Sequence, residues 1–367
     1  MLTRLYVDNF KCLVDFDFRP PDPLTLVVGR NGAGKTSVFE VLLSLANFVR
    51  GRTGVSLSFP PYHRTAWMEK ELQHFEIDVG EGKDGWRYSL ILQQNEDPDR
   101  ARVAEERLTT GTGSPLVEVK GGEVQFWWDD GKRGPKFPAD PTRSGLTVVA
   151  DRPKLRKAAR FRSWFSSVQI VAPYPSLVEL TSLRADAELS PTLKNFPSWY
   201  RSLVMSSPEV VTPLFQELRK VVDGFDAMTL DGEGDPRVLR VQHKLGKKSY
   251  PLNFTDLSDG QRVMIALYTL VHAPWKAGGL LCLDEPDNFV TLAEIQPLLF
   301  RLQDLAVERG TQVLLVSHNS EVIDYLGPDR ARLFRRDEGG PVQAVPFEAP
   351  AKLGMNPSQV LARGWEE

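Results

Sequence analysis

The sequence has few cysteines, no long apolar run and little net charge, and each of the first two shortages excludes a class of protein. Cys12 and Cys282 are its only cysteines. They lie far apart in apolar stretches, which excludes a disulfide framework and a cysteine-based zinc site. No stretch approaches the run of about 18 uncharged apolar residues that a membrane helix needs, and the N-terminal residues lack the apolar core of a signal peptide. We therefore expect a cytoplasmic protein with no membrane partner.

The formal net charge of −3 is not typical of a dedicated nucleic-acid-binding protein, whose domain is usually clearly basic. Basic residues are nevertheless concentrated in one segment, Arg152–Arg162, where six of eleven residues are arginine or lysine. This segment could contact a phosphate backbone with salt-sensitive affinity, bind an acidic partner, or only face solvent. Nucleic acid thus stays open as a partner.

The apolar patterns predict an α/β fold. A short apolar strand, Leu24–Val28, runs into a glycine-rich loop, after which Thr36–Arg50 has helical periodicity. From about residue 51 to 145, short alternating runs predict antiparallel hairpins: Phe75–Val79, Trp86–Leu92, Leu116–Lys120 and Glu123–Trp128. Helices and strands then alternate over Gly260–His272, Leu280–Leu283, Leu292–Glu308, Gln312–Val316 and Ser320–Leu326. Such alternation is typical of a parallel or mixed sheet flanked by helices.

The glycine-rich loop carries the pattern GxxxxGK[ST], which is typical of phosphate binding. Its glycines let the backbone curl until the N–H groups point at phosphate oxygens, and the N-terminal end of the following helix adds positive charge. Lys35 would reach the β- and γ-phosphates of ATP, and the Thr36 hydroxyl would ligate Mg²⁺. The residues expected to contact the nucleotide are Gly29, Asn31, Gly32, Ala33, Gly34, Lys35, Thr36 and Ser37.

Two carboxylates follow an apolar strand farther along the chain. Leu280–Leu283 predicts a fully buried strand, and Asp284 and Glu285 follow at its carboxyl end, where open α/β sheets bind their ligands. Asp284 would hold the magnesium, directly or through water. Glu285 would polarise the water that attacks the γ-phosphate. Together with the phosphate loop, this pattern predicts ATP hydrolysis with Glu285 and Lys35 in catalytic roles.

The segment Asp256–Arg262 carries a motif that resembles one family of ATPases in particular. It contains Leu-Ser-Asp-Gly-Gln at the start of a predicted helix and resembles the signature sequence of ABC-class ATPases, with Ser258 as the N-cap. The resemblance implies that Ser258, Gly260 and Gln261 contact the γ-phosphate bound by the phosphate loop of a second copy. It therefore implies a homodimer that sandwiches two ATP molecules, and a higher oligomer stays open.

His318 follows the apolar strand Gln312–Val316. It falls where the switch histidine of ABC-class ATPases would lie. The resemblance implies that His318 donates a hydrogen bond to the γ-phosphate and belongs with Glu285 and Lys35 among the catalytic residues.

The N-terminal turn Asp8-Asn9-Phe10-Lys11 resembles the RecF, SMC and OLD branch of the class, in particular compact AAA-type ATPases common in bacterial defence systems. Lys11 could lie near the nucleotide or be a solvated turn residue. Gln73 and Gln93 both stay open as the Q-loop glutamine. The segment Asp287–Leu292 lacks both the Ser-Ala-Leu-Asp of transporters and the Asn-Gly-Leu-His common in this branch, so hydrolysis could be slow.

The resemblance implies an ABC-type ATPase head in three regions. Residues 1–173 would form a nucleotide-binding lobe with inserted antiparallel hairpins at about 51–145, and residues 174–255 a helical lobe. Residues 256–367 would complete the core with the signature helix, the strand before Asp284, and His318. Prolines at 197, 208 and 213 interrupt the longest helical stretch, which excludes long coiled-coil arms.

Three biological uses stay open for such an ATPase. The residues after His318 are too few for the nuclease module of OLD proteins and contain no Asp-x-Asp pair. We therefore expect the sensor or regulatory subunit of a defence or toxin-type system, with a nuclease or other effector on a separate chain. The alternatives are a RecF-like repair ATPase that acts directly on DNA and a slow ATP-bound scaffold that holds a partner inactive.

Overall fold

Strands form where apolar residues alternate with polar ones, and helices form where apolar residues recur every three or four positions. The computed structural model describes residues 1–97, 100–149, 153–348 and 355–363. The strands are β1 (Leu2–Asp8), β2 (Phe16–Phe18), β3 (Leu24–Val28), β4 (Leu72–Val79), β5 (Trp86–Gln93), β6 (Arg102–Thr110), β7 (Pro115–Lys120), β8 (Glu123–Trp127), β9 (Arg133–Pro138), β10 (Val168–Val171), β11 (Thr181–Ser182), β12 (Phe225–Asp231), β13 (Arg237–Leu245), β14 (Lys248–Asn253), β15 (Leu280–Asp284), β16 (Gln312–Val316), β17 (Ala331–Arg336) and β18 (Val342–Pro346). The helices are α1 (Lys35–Val49), α2 (Val55–Ser58), α3 (Arg156–Trp164), α4 (Phe196–Ser206), α5 (Val211–Val221), α6 (Asp259–His272), α7 (Leu292–Val307), α8 (Ser320–Leu326) and α9 (Pro357–Arg363).

The chain divides into two compact units. The first comprises Met1–Val168, Gly278–Leu280 and Leu326–Glu367, and the second comprises Gln169–Ala277 and Leu281–Tyr325. Within the described residues, no helix is long and apolar enough to cross a membrane.

The first unit contains a fully antiparallel sheet with the strand order β2-β1-β4-β5-β6-β7-β8-β9. Alternate residues of β4 and β5 are buried, as the two-residue period of a strand requires. The Phe75 ring on β4 lies 4.9 Å from that of Phe59, which lies 5.9 Å from the ring of Phe48 on α1. These aromatic contacts support the helix that follows the phosphate loop.

The same unit holds the strand that leads into the phosphate loop. β3 is buried along its whole length and pairs in parallel with β17, which pairs antiparallel with β18. A strand that is covered on both faces is expected to be continuously apolar, and Leu24–Val28 fits that rule apart from Thr25. This arrangement places the C-terminal end of β3 beside the residues of β17.

The second unit carries the other apolar strands and the signature helix. β10, β15 and β16 are neighbours in that order, and β16 is buried throughout. Separately, β11, β13 and β12 form an antiparallel sheet in that order, with β14 paired to β13. The region 174–255, predicted as a helical lobe, therefore contains this sheet as well as α4 and α5.

The hairpin region contains two strands that the sequence patterns did not predict, β6 and β9. β6 carries exposed charges and also a buried acid, Glu106, so its apolar alternation is interrupted. The Glu106 carboxylate accepts hydrogen bonds from the Tyr88 hydroxyl (2.8 Å), the Ser144 hydroxyl and the Gly145 amide (2.7 Å). Burial raises the pKa of the Glu106 carboxyl, although these three hydrogen bonds act to lower it.

Candidate nucleotide-binding and hydrolysis site

The phosphate loop lies between β3 and α1, and its backbone requires glycine. Gly29, Gly32 and Gly34 have φ values of 147°, 80° and 84°, which side-chain-bearing residues rarely adopt. A Cβ on Gly29 would lie 2.2 Å from the carbonyl oxygen of Phe334 on β17. The loop can therefore pass this close to β17 only with glycine at position 29.

Lys35 is the first residue of α1 and is buried, with 6% of its surface exposed. Its ammonium donates to the carbonyl oxygens of Gly29 (2.9 Å) and Arg30 (3.0 Å). Among the residues that the structure describes, no acceptor receives the amides of Gly32 and Gly34. A buried ammonium, amides free to donate and the N-terminal end of a helix form a site that suits a chain of phosphates.

The remaining predicted residues of this loop have different environments. Asn31 and Thr36 are exposed, Ala33 is buried and Ser37 is half-buried. The Ser37 hydroxyl lies 3.9 Å from the sulfur of Cys12. Thr36 can therefore present its hydroxyl to a ligand, whereas Ser37 faces the side chain of Cys12.

Arg336 is a residue of this site that the sequence analysis missed. Its guanidinium donates to the carbonyl oxygens of Gly32 (3.0 Å) and Gly340 (2.7 Å) and lies 5.6 Å from the ring centre of Trp67. A cavity of about 370 Å³ lies beside it, lined by Arg30–Ala33 and by residues of β17 and the turn after it. Arg336 holds the tip of the phosphate loop, and no motif marks it in the sequence.

Lys11 and the two candidate Q-loop glutamines have protein partners. Lys11 forms an ion pair with Glu40 on α1. Gln73 is buried and donates to the carbonyl oxygen of Asn9 (2.8 Å). The Gln93 side chain contacts Glu71 and Arg102. These contacts do not identify a nucleotide-sensing residue, so the choice between Gln73 and Gln93 as the Q-loop glutamine stays open.

In the second unit, β15 delivers Asp284 and Glu285 as predicted in sequence, and the structure brings Glu285 and His318 together. The His318 Nε2 atom lies 3.4 Å from the Glu285 Oε1 atom. Asn288 donates to Glu285 Oε2 at 2.7 Å, and the Glu285 amide donates to the Val316 carbonyl at 2.9 Å. Glu285 has a φ of 48°, a conformation that costs free energy for a non-glycine residue and is concentrated at functional sites.

Asp287 lies in the turn after Glu285 and is buried. Its Oδ2 atom accepts a hydrogen bond from the Ser317 hydroxyl at 2.9 Å. Burial raises the pKa of the Asp287 carboxyl, and the charge of Glu285 acts in the same direction, while the Ser317 hydrogen bond opposes both. The turn is thereby tied to the residue that precedes His318.

The signature segment starts α6 with a capping box. The Ser258 hydroxyl accepts from the Gln261 amide at 3.2 Å, and the Gln261 side chain accepts from the Ser258 amide at 3.1 Å. Ser258 is thus the N-cap, as the sequence predicted. A Cβ on Gly260 would lie 2.5 Å from the Phe289 carbonyl oxygen, so the helix start packs directly on the turn after Glu285.

The predicted metal ligands are Thr36 in the first unit and Asp284 in the second. Hydroxyl and carboxylate oxygens suit Mg²⁺, which is usually held by one or two protein groups together with substrate phosphates and water. Across the described part of the chain, no cluster of three or more His, Cys, Asp and Glu residues could hold a metal by itself. Thr36 in the first unit and Asp284 in the second thus each carry an oxygen donor of a type that suits Mg²⁺, and their role as metal ligands stays a prediction.

Comparison with known proteins identifies the sequence family and the fold. Residues 133–324 match the family model described as "AAA domain, putative AbiEii toxin, Type IV TA system", and residues 4–46 match one described as "AAA domain". The chain is 55% identical over 42 residues to the OLD nuclease of Thermus scotoductus, a match that spans 11% of this chain and only 8% of that protein.

A solved SMC head bound to the C-winged helix domain of ScpA has a similar structure. It matches with a TM-score of 0.51 at 14% identity, over 96% of this chain and 99% of that one. At this identity the likeness concerns the fold alone. It confirms the predicted α/β architecture of an ABC-type ATPase head.

Proposed function

Because the chain belongs to the family described as "AAA domain, putative AbiEii toxin, Type IV TA system" and is a P-loop ATPase related to ABC, SMC and OLD proteins, we propose that it hydrolyses ATP and controls a separate effector. The effector would be a nuclease or another toxic activity of a defence or toxin-type system. The protein would act in the cytoplasm as an ATP-closed homodimer or a higher oligomer.

The observation that carries the hydrolysis proposal is the pairing of Glu285 with His318, 3.4 Å apart after the neighbouring strands β15 and β16. Glu285 is held by Asn288 on one oxygen, which leaves its other oxygen on the side of His318. A carboxylate held in this way can orient a water molecule and take its proton. His318 can donate a hydrogen bond to a phosphate oxygen.

In the first unit, Lys35 and the loop amides would bind the β- and γ-phosphates. The Lys35 ammonium already lies within the loop, and a triphosphate would replace the carbonyl oxygens of Gly29 and Arg30 as its partners. Thr36 and Asp284 would hold Mg²⁺, which supplies positive charge that stabilises the phosphates in the transition state. These residues would act mainly by positioning and by charge.

Dimerisation would use the start of α6. Ser258 caps this fourteen-residue helix and Gly260 and Gln261 lie in its first turn, and the N-terminal end of a helix favours an anion. We propose that they contact the γ-phosphate held by a second copy.

The proposal is tested by purifying the Glu285→Gln protein from its native host with ATP and Mg²⁺ and identifying bound chains by mass spectrometry. This variant should bind ATP and hydrolyse it slowly, so that the ATP-bound complex persists. Lys35→Ala, which should bind ATP weakly, is the matched control. A stoichiometric nuclease or other effector found only with Glu285→Gln is the expected result.

Two outcomes would contradict the regulatory role. DNA together with repair factors, and no dedicated effector, would favour a RecF-like ATPase that acts directly on DNA. Recovery of the same partner with both variants, combined with tight ATP binding and negligible turnover in the unmodified protein, would favour a scaffold that holds its partner inactive.

A further inference from the structure

A cavity lined by arginine lies at the end of α1 opposite the phosphate loop. Its volume is about 760 Å³, within the range of about 300–1,000 Å³ typical of ligand pockets. The polar side chains that line it are Arg50, Arg156, Arg160, Arg162, Ser163 and Ser166. We call it the arginine pocket. Arg50 follows α1, whose fifteen residues span about 22 Å, so the arginine pocket is distinct from the phosphate loop.

The helix α3 directs its arginines to the pocket because of their spacing. Arg156, Arg160 and Ser163 lie four and three residues apart, which places them on one helical face. Phe161 is fully buried and anchors the opposite face, where its ring lies 5.3 Å from that of Tyr88. The pocket is therefore presented by a helix that is fixed on the core of the first unit.

The lysines of the basic segment predicted from the sequence have other partners, while Arg152 at its start lies outside the described residues. Lys157 donates to the Asp129 carbonyl oxygen at 3.1 Å, and the Lys154 ammonium lies 5.5 Å from the ring centre of Trp128. The Asp129 carboxylate also accepts the backbone amides of the first two residues of α3 at 3.0 and 3.1 Å. The described part of the segment thus divides into lysines that attach α3 to the hairpin and arginines that face the pocket.

Three arginines of the pocket have no carboxylate partner among the described residues. No carboxylate lines it, and Arg156, Arg160 and Arg162 form no ion pair with the described residues. Arg162 instead donates to the carbonyl oxygens of Val149 and Arg50, each at 3.3 Å. An anion in the pocket would offset the mutual repulsion of Arg156, Arg160 and Arg162.

We propose that the arginine pocket binds a polyanion with closely spaced phosphate groups, at a site separate from the nucleotide. Guanidinium groups bind phosphate oxygens through paired hydrogen bonds, and the Ser163 and Ser166 hydroxyls can donate as well. Consecutive phosphodiesters of a nucleic-acid strand and a free polyphosphate offer the same chemistry. The proposal does not depend on ATP hydrolysis.

The test measures binding of three probes to the full chain: a fluorescein-labelled twelve-nucleotide single strand of DNA, the same DNA as a duplex, and inorganic tripolyphosphate as a competitor. A Lys35→Ala background removes the contribution of the phosphate loop. The test variant is Arg156→Glu with Arg160→Glu. Its control, Lys120→Glu with Lys132→Glu, makes the same charge change at lysines of the same unit that are 67% and 81% exposed.

We expect the pocket variant to weaken binding by at least about tenfold and to reduce the slope of log affinity against log salt by about two. The control should change the affinity by less than about threefold. DNA binding would identify a nucleic-acid strand as the source of the phosphates, and binding of tripolyphosphate alone would identify a free polyphosphate.

Equal weakening in the two double variants, or binding of no probe, would overturn the proposal. Thermal unfolding of both variants checks that α3 remains folded. If the glutamates destabilise it, Arg156→Gln with Arg160→Gln, which introduces no negative charge, must still lower the affinity.

Discussion

Replacing Glu285 by glutamine removes the negative charge of the carboxylate and preserves the shape of the side chain. The glutamine side chain would retain a carbonyl oxygen that can accept the hydrogen bond from Asn288, which is 2.7 Å in the unmodified protein. Its amino group would face the His318 Nε2 atom, which lies 3.4 Å from the present oxygen. The backbone at φ 48° costs the same for both residue types. We therefore expect the free energy of unfolding to change by less than about 1 kcal/mol.

The rate of ATP hydrolysis should fall strongly, because an amide cannot accept a proton from water. Loss of a general base slows a reaction by about 10²–10⁴, which corresponds to about 2.7–5.5 kcal/mol in the activation barrier. The measurement is phosphate release at saturating ATP and Mg²⁺, together with titration of a fluorescent ATP analogue. Binding should stay within about threefold of the unmodified protein, since the loop around Lys35 is unchanged.

Glu308→Gln is the matched control, because it makes the same change at an exposed residue just after α7 of the same unit. It should leave both the rate and the affinity unaltered. Hydrolysis at the unmodified rate by Glu285→Gln would refute the role of Glu285 as the base. A loss of rate in both variants would show that the assay responds to a property other than the carboxylate at position 285.

Three further predictions follow from the geometry. Lys35→Ala should weaken ATP binding by about 10–100-fold, the worth of charge-assisted hydrogen bonds of about 1.5–3 kcal/mol, and the ATP-analogue titration measures this; unchanged affinity would contradict the ligand role. Gly29→Ala should destabilise the protein by about 3 kcal/mol or more, because its Cβ would overlap the Phe334 carbonyl 2.2 Å away. Gly32→Ala, which meets nothing within 4 Å, should cost only about 1–2 kcal/mol, and urea unfolding compares the two. Asp287→Asn tests the raised pKa of Asp287: its protonated form stabilises the fold below the ordinary pKa of 3.8, and this contribution is lost as pH rises through the folded-state pKa. The stability of the variant relative to the unmodified protein should therefore increase as pH rises above 3.8, and a pH-independent difference would contradict the burial argument.

Local apolar patterns predicted much of the fold, because most strands and helices bury one face. The helix predicted at Gly260–His272 and the strand predicted at Gln312–Val316 correspond to α6 and β16. β6 was not predicted because its buried Glu106 depends on partners elsewhere in the chain, Tyr88 and Ser144. A buried acid resembles a surface acid in sequence, and only the tertiary contacts distinguish the two.

The same limit applies to the candidate site. Glycines and Lys35 of the phosphate loop are adjacent in sequence, so a local pattern predicts them. Arg336 reaches the same loop from a position 304 residues beyond Gly32, and its contact depends on the pairing of β3 with β17. No spacing rule relates these two segments, which explains why the sequence analysis missed Arg336.

The turn Asp287–Phe289 departs in sequence from the D-loop patterns of related ATPases, yet it contacts three parts of the candidate site. Asn288 holds the Glu285 carboxylate, Asp287 holds Ser317 beside His318, and the Phe289 carbonyl packs on Gly260. The contact with Gly260 involves only backbone atoms of the turn, so it does not require a particular side chain at position 289. Because packed interiors do not deform continuously, displacement of the start of α6 toward this turn must move the turn as well. The altered sequence therefore retains a physical connection between the signature helix and the carboxylate proposed to activate water.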